Sequence, residues 1–443
     1  MEDKRKIRVQ FFRYVSQNML GMLGMSLYIL ADTFFIAKAV GANGITALNL
    51  VLPLYNLIFA VGAMIGVGSA IRFAVERNKG IKEAEGYFFH AIVCATIVSL
   101  VFVVAGACFP DRVIQFLGGD EQIIATGRRY TSLFLLFAPF FMWNHIVSAF
   151  VRNDGDPSIA MFATLGSNLF NIVFDYVLMF PLGMSMPGAA LATALSPVVG
   201  ILICMTHFRS ENNTILWKPV KLSFRKLIFS CQVGVSAFVG EISSGVITAA
   251  FNTIILGLSG NVGVAAYGVV ANFSLVAVAL FNGIAQGSQP LLSRFYGQGD
   301  TEHLKTVIRL AIQTALGTAI VILVMIQLWS EPMAGIFNQE QDVELARLAR
   351  EGLRIYFVGF LFAGINIVGT NILSAVESVR WAFVASISRG FLAILFFAFV
   401  LSSIWGMKGV WLAFPCAELV TMALTLAGMR ELSIWKPKRG IQS

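Results

Sequence analysis

Two aspartates stand in runs of residues that otherwise belong in hydrocarbon. Asp175 interrupts the apolar stretch 168–180, and Asn171 precedes it by one helical turn on the same face. Asp32 lies in Tyr28-Ile29-Leu30-Ala31-Asp32-Thr33-Phe34-Phe35, and Thr193 lies in the apolar segment that follows Asp175. A carboxylate at membrane depth costs at least ~2.5 kcal/mol on the mildest insertion scale, so each acid must face a partner, an ion or water. Two carboxyls held close together bind a proton or a cation tightly when their pocket is dry and release it when the pocket is wet. Oxygens from Asn171 and Thr193 complete a hard, all-oxygen shell of the kind alkali cations prefer. The expected chemistry is reversible binding of Na+ or H+ at Asp32, Asn171, Asp175 and Thr193. Bond-making chemistry is not expected. The cysteines and histidines are scattered singly, and neither a nucleophile–base set nor a phosphate-binding loop occurs. The chain therefore reads as neither an enzyme nor an ATP-driven machine.

The second half carries three further charges at membrane depth, Glu241, Arg389 and Glu418. Their signs invite an ion pair of Arg389 with Glu241 or Glu418, which would lock helices together. An acid left unpaired becomes a counter-ion for a cationic substrate, and Glu241 is the candidate. Met22, Met25, Tyr28 and Asp32 fall on one side of a helix. The expected substrate-binding set is therefore Tyr28, Met25, Asp32, Asp175 and Glu241, with packing of the Met stripe in the core an equal reading.

These residues need helices to hold them. Of 443 residues, 57% are hydrophobic and only 13% charged, against about 25% charged in a soluble domain. The fold class is an all-α polytopic membrane protein. Apolar runs of spanning length fall at 14–38, 46–71, 88–109, 128–150, 158–180 and 187–208. After a polar connector they recur at 229–257, 264–290, 306–329, 353–376, 382–402 and 408–429. The total is twelve transmembrane helices. Two amphipathic segments, 110–126 and 330–350, are expected to lie at one membrane face. With both termini inside, the inner segments hold 23 of the 32 Lys and Arg and the outer segments eight. That bias places both termini in the cytoplasm and the chain in the plasma (inner) membrane. The net charge of +8 is accounted for by short loops and gives no reason to expect nucleic acid.

The halves repeat. Asp32-Thr33 aligns with Asn252-Thr253. Gly41, Gly44, Gly68-Ser69 and Gly80 align with Gly260, Gly263, Gly287-Ser288 and Gly299, and Gly188 aligns with Gly409. The interfacial segments pair Phe116 with Phe337. Six spans per unit give two six-helix lobes related by an axis along the membrane normal, an arrangement suited to alternating access. The expected division is 1–208, a connector over 209–226, and 227–443. Neither acid is mirrored, since Asp32 maps to Asn252 and Asp175 to Phe396, so coupling is expected in the first lobe alone.

Twelve spans in a 6+6 repeat resemble the multidrug and toxic compound extrusion (MATE) family, bacterial branch. An acid late in the first span, N-x-x-x-D in the fifth and glycine-rich ends to spans 2 and 8 strengthen the likeness, which covers about residues 10–430. It implies a first-lobe cation site that falls on Asp32, Asn171, Asp175 and Thr193, with a pocket tyrosine at Tyr28. It further implies export of organic cations and drugs in exchange for Na+ or H+, by a monomer in membrane lipid with no other cofactor. Two departures stand out. No proline bends the first span near Gln17-Asn18, and the tenth span offers only Asn366 and Asn371 where one branch of the family has an acid. The alternative is a flippase for a lipid-linked precursor on a related fold, which should line its cavity with several basic residues, of which these spans hold almost none apart from Arg389.

Overall fold

Without water to satisfy a bare peptide group, an apolar run in a bilayer must close its own hydrogen bonds, and a helix does so within one segment. The computed structural model describes residues 2–78, 80, 84–336 and 342–432, and among them every regular element is helical. In chain order these are α1 (Glu2–Val40), α2 (Ala42–Arg77), α3 (Tyr87–Cys108), α4 (Pro110–Phe116), α5 (Glu121–Leu136), α6 (Ala138–Asn153), α7 (Pro157–Met179) and α8 (Ser185–Cys204). The second half continues with α9 (Phe224–Gly297), α10 (Thr301–Ile336), α11 (Val343–Tyr356), α12 (Phe360–Ala375), α13 (Val379–Ile387), α14 (Ala393–Trp405) and α15 (Met407–Glu431).

Ten helical segments of the described residues are long and apolar enough to cross a membrane, and the pair α5 and α6, bent by 45°, makes an eleventh. The 74-residue α9 breaks at Gly260, whose φ of 60° is left-handed, so it supplies two spans and the total is twelve. Gly41, the repeat partner of Gly260, also has a positive φ (78°) and separates α1 from α2. Matched glycines thus cut matched hairpins.

The two amphipathic segments differ from expectation. Pro110–Phe116 forms a separate short helix, and α10 breaks at Trp329 (φ −116°), so residues 330–336 form a short segment of their own. Asp120 caps α5 by accepting from the Ile123 amide, so residues 121–126 join the fourth span. Asp342 does the same for α11, accepting from the Glu344 and Leu345 amides. Both spans therefore start earlier than hydropathy indicates. Phe337 lies outside the described residues, as do Lys436 and Lys438 of the tail.

Packing divides the chain into Ser16–Gly245 and a second unit of Met1–Val15 with Val246–Ser443. The division falls inside α1 and α9 rather than in the connector. In the first unit, Gly68 and Gly234 let α2 and α9 meet backbone to backbone. A Cβ on Gly234 would collide with the Met64 carbonyl oxygen.

The 209–226 connector is anchored to that same unit. Buried Asp154 accepts from the Thr214 amide (2.7 Å) and from Arg77 and the Thr214 hydroxyl. The His207 ring sits between Asp154 (2.9 Å) and Asp156 (2.7 Å), and Asn212 donates to Asp156 (2.7 Å). Partial burial pushes the Asp156 carboxyl up, but hydrogen bonds from Ser210, Asn212 and His207 outweigh it and hold the group below its ordinary value.

Candidate functional site

Three helices of the unit Ser16–Gly245 bring the singled-out polar groups together. Asn171 and Asp175 sit one turn apart on the buried face of α7, 1% and 0% exposed. Asn171 Nδ2 donates to Thr193 Oγ1 on α8 at 3.3 Å. From α1, the Asp32 carboxyl lies close enough to the Asp175 carboxyl for the two to interact. Both oxygens of Asp175, Oδ1 of Asp32 and Oδ1 of Asn171 are buried with no hydrogen-bond donor among the described residues. Acceptors thus face acceptors. Two carboxylates cannot hydrogen-bond each other unless a proton is shared, and a buried acceptor left unmatched costs about 1–3 kcal/mol. A proton or a small cation between them removes both penalties.

Three tyrosines lie near the pair. Tyr28 Oη is 2.6 Å from Tyr55 Oη on α2, and Tyr130 on α5 reaches the Thr193 hydroxyl. Tyr55 stacks on Phe59 with ring centroids 4.1 Å apart. Sequence reasoning found Tyr28 and missed Tyr55 and Tyr130. The only available signal was a phenol in an otherwise apolar or amphipathic run, and nothing in the sequence fixes which way those helices turn. Met25 and Met22 are half-buried on α1.

Glu241, on the first part of α9, has an exposed side chain and lies near enough to Tyr28 for their charges to interact. It forms no ion pair among the described residues. Arg389 takes the other acid. Its Nε donates to Glu418 Oε1 at 2.7 Å, and Asn366 Nδ2 donates to Glu418 Oε2 at 2.7 Å and to the Glu418 carbonyl at 2.8 Å. Thr425 donates to Asn366 Oδ1 (3.1 Å), and Ser388 meets Thr421 (2.9 Å). Arg389 lies in a π-helical turn, Ser388–Leu392, between α13 and α14.

Among the described residues no three His, Cys, Asp or Glu gather as a metal cage. The donor set at Asp32 and Asp175 is instead carboxylate, amide and hydroxyl oxygen. That set fits a weakly held alkali cation or a proton and does not fit a thiolate- or imidazole-bound metal.

Comparison with known proteins agrees with this architecture. The MatE family model matches residues 18–177 and again 237–400, one match in each half. The chain is 26% identical over 407 residues to the multidrug export protein MepA of Staphylococcus saprophyticus, covering 91% of this chain and 89% of the relative. It is 25% identical over 417 residues to MepA of Staphylococcus aureus (strain MSSA476), covering 92% and 90%. Among solved structures, the outward-facing conformation of a multidrug resistance MATE family transporter of the MOP superfamily superposes with a TM-score of 0.89. It is 22% identical, with 97% of this chain and 96% of the other covered. A MATE in complex with MaL6 gives 0.90 at 21% identity, with 97% of each chain covered.

Proposed function

Because the chain belongs to the MatE family, a family of polytopic membrane transporters, we propose that it is a secondary antiporter. In this reading it exports cationic or amphipathic small molecules across the plasma membrane in exchange for Na+ or H+, with both termini in the cytoplasm. The observation that carries the reading is the pair of buried carboxyls, Asp32 and Asp175, of which Asp32 Oδ1 and both Asp175 oxygens lack a donor among the described residues.

A cation between the carboxyls relieves their repulsion and draws α1 toward α7. Its affinity is then higher in the dry, closed arrangement than in a wet one. That difference in affinity is the quantity that allows an ion gradient to drive a conformational cycle. Asn171 donates its amide nitrogen to Thr193, which leaves Asn171 Oδ1 free to serve the cation. Tyr28 and Tyr55 supply an aromatic wall with hydroxyls at its rim, and the exposed Glu241 carboxylate offers a counter-charge to a cationic substrate. A flippase would need basic side chains free for a diphosphate, and Arg389 is engaged by Glu418.

The test is efflux of a fluorescent organic cation from cells expressing wild type, Asp32→Asn or Asp175→Asn at matched protein levels, in Na+ and in K+ media. Wild type is expected to export the dye and both variants to fall to the level of empty cells. The Na+ comparison names the ion. Export by both variants at the wild-type rate sinks the coupling site.

A further inference from the structure

The carboxyl pair lies deep in the unit, and polar groups continue from it in one direction along the contact between α1 and α7. The two helices run side by side in the same direction. Gln17 Nε2 donates to Ser158 Oγ at 2.8 Å, a Cβ on Gly21 would lie 3.8 Å from Thr164, and one on Gly24 would lie 3.5 Å from Asn168 Nδ2. Asp32 then meets Asp175. On α7, Thr164, Asn168, Asn171 and Asp175 recur at intervals of four, three and four residues and so share a face, while Ser158 stands at the start of the helix. Exposed Leu20 and Leu27 on α1, and Phe162 and Leu169 on α7, flank this seam with apolar surface.

The seam is underpaired. Gln17 Oε1, Asn168 Nδ2 and Asn171 Oδ1 are buried and have no partner among the described residues, in addition to the orphan carboxylate oxygens. Asn168 is 9% exposed and Asn171 1%. A seam that served only to hold two helices together would use both ends of each amide, since every buried orphan costs about 1–3 kcal/mol. Water between such groups removes that cost by supplying the missing partners. From Gln17 to Asp32 is about 22 Å along the helix at 1.5 Å per residue, roughly three-quarters of a bilayer's hydrocarbon thickness. Ser158 follows Asp156, which holds the connector, so the far end of the seam opens on the connector side.

We infer that the α1–α7 seam, through Asn168 and Gln17, is a hydrated track along which the coupling cation passes between the Asp32–Asp175 pair and the connector side of the membrane. The inference rests on the antiport reading above. Asn168 is a positioning residue in it, one station short of the binding pair, offering its amide to the water that carries Na+ or H+. Gly21 and Gly24 keep the track narrow, so it passes a small cation and excludes the substrate.

The test places single cysteines in the full chain after replacing Cys94, Cys108, Cys204, Cys231 and Cys416. A charged, water-soluble methanethiosulfonate reagent is then applied to vesicles from the connector side. Gln17→Cys and Asn168→Cys are expected to react at least tenfold faster than Ala163→Cys, buried on the same helix, and Leu169→Cys, on its apolar face. An Asn168→Cys rate no faster than Ala163→Cys overturns the track. If Asn168→Cys does not accumulate, Thr164→Cys samples the same seam, and a rate no faster than Ala163→Cys there overturns the track equally. In the second arm, Asn168→Leu should cut efflux at least tenfold, with substrate binding by purified protein changed less than twofold, and Asn168→Ser should restore efflux. Wild-type efflux by Asn168→Leu with Asp32→Asn inactive removes the track and keeps the antiport reading. Efflux by both removes the reading beneath it.

Discussion

The buried polar groups of the two halves are treated in opposite ways. At Asp32 and Asp175, two acids lie together, and Asp32 Oδ1 and both Asp175 oxygens meet no donor among the described residues. At Glu418, one oxygen receives Arg389 Nε and the other Asn366 Nδ2, and Asn366 is itself held by Thr425. The second cluster is electrically closed and needs nothing from outside. The first is incomplete by a positive charge. A repeated fold has therefore kept its helices and changed the chemistry at their centres. The difference teaches that a buried charge becomes functional when its neighbours leave it unsatisfied, since a satisfied one has no reason to bind and release anything.

The largest effect should come from removing the incompleteness. Asp175→Asn or Asp32→Asn supplies a neutral amide where an acid stood, and dye efflux is expected to fall by at least two orders of magnitude with thermal stability unchanged or raised. A large loss of melting temperature in either variant would instead make the acid pair a structural element like the Glu418 cluster.

The converse applies in the second half. Arg389→Met leaves Glu418 buried and unpaired, and should cost about 3–5 kcal/mol of stability, read as a lowered Tm in detergent. Arg389→Met combined with Glu418→Gln should recover most of it. Failure of the double variant to recover would show that the pair does more than balance charge.

A smaller effect is expected at the connector. Asp154→Ala removes the acceptor for Thr214, Arg77 and His207, and about 2 kcal/mol is expected by comparison with other broken buried hydrogen bonds. Asp156 adds a pH dependence whose sign follows from its lowered folded-state value. Its contribution is present above its unfolded value, about 3.9, and is lost as pH falls through the lower folded one. Melting temperature should therefore drop on acidification below about pH 4, and Asp156→Asn should flatten that part of the curve.

The smallest effect should come from Tyr55→Phe. It deletes only the hydroxyl that meets Tyr28 and leaves the stacking on Phe59 in place, so efflux is expected to change by about twofold to fivefold. A loss as large as that at Asp175 would move Tyr55 into the binding machinery itself.

Much of this contrast is legible in the chain. Asp32, Asn171, Asp175 and Thr193 stand out because a polar group in hydrocarbon is costly wherever it occurs, and a helix converts their spacing directly into a shared face. The twelve spans are legible for the same reason, as is the break at Gly41 and Gly260, where only glycine adopts the left-handed backbone easily. Two starts were misplaced, at Glu121 and Val343, because a capping aspartate begins a helix sooner than hydropathy does. Tyr55 and Tyr130 escaped notice, since an amphipathic phenol in an apolar helix is equally at home toward lipid, core or pocket.

By itself, the sequence determined an all-helical membrane protein with two repeated halves and acids in only one of the matched positions. Those facts follow from local rules: hydropathy over a span, glycine at a break, and the cost of burying charge. Which acid Arg389 would take, that Asp156 and His207 would anchor the connector, and that an orphaned polar seam would lead away from Asp175 were decided only by the tertiary structure. Each depends on which faces of distant helices meet and at what register. Periodicity along one helix leaves that free, and close packing of all of them fixes it.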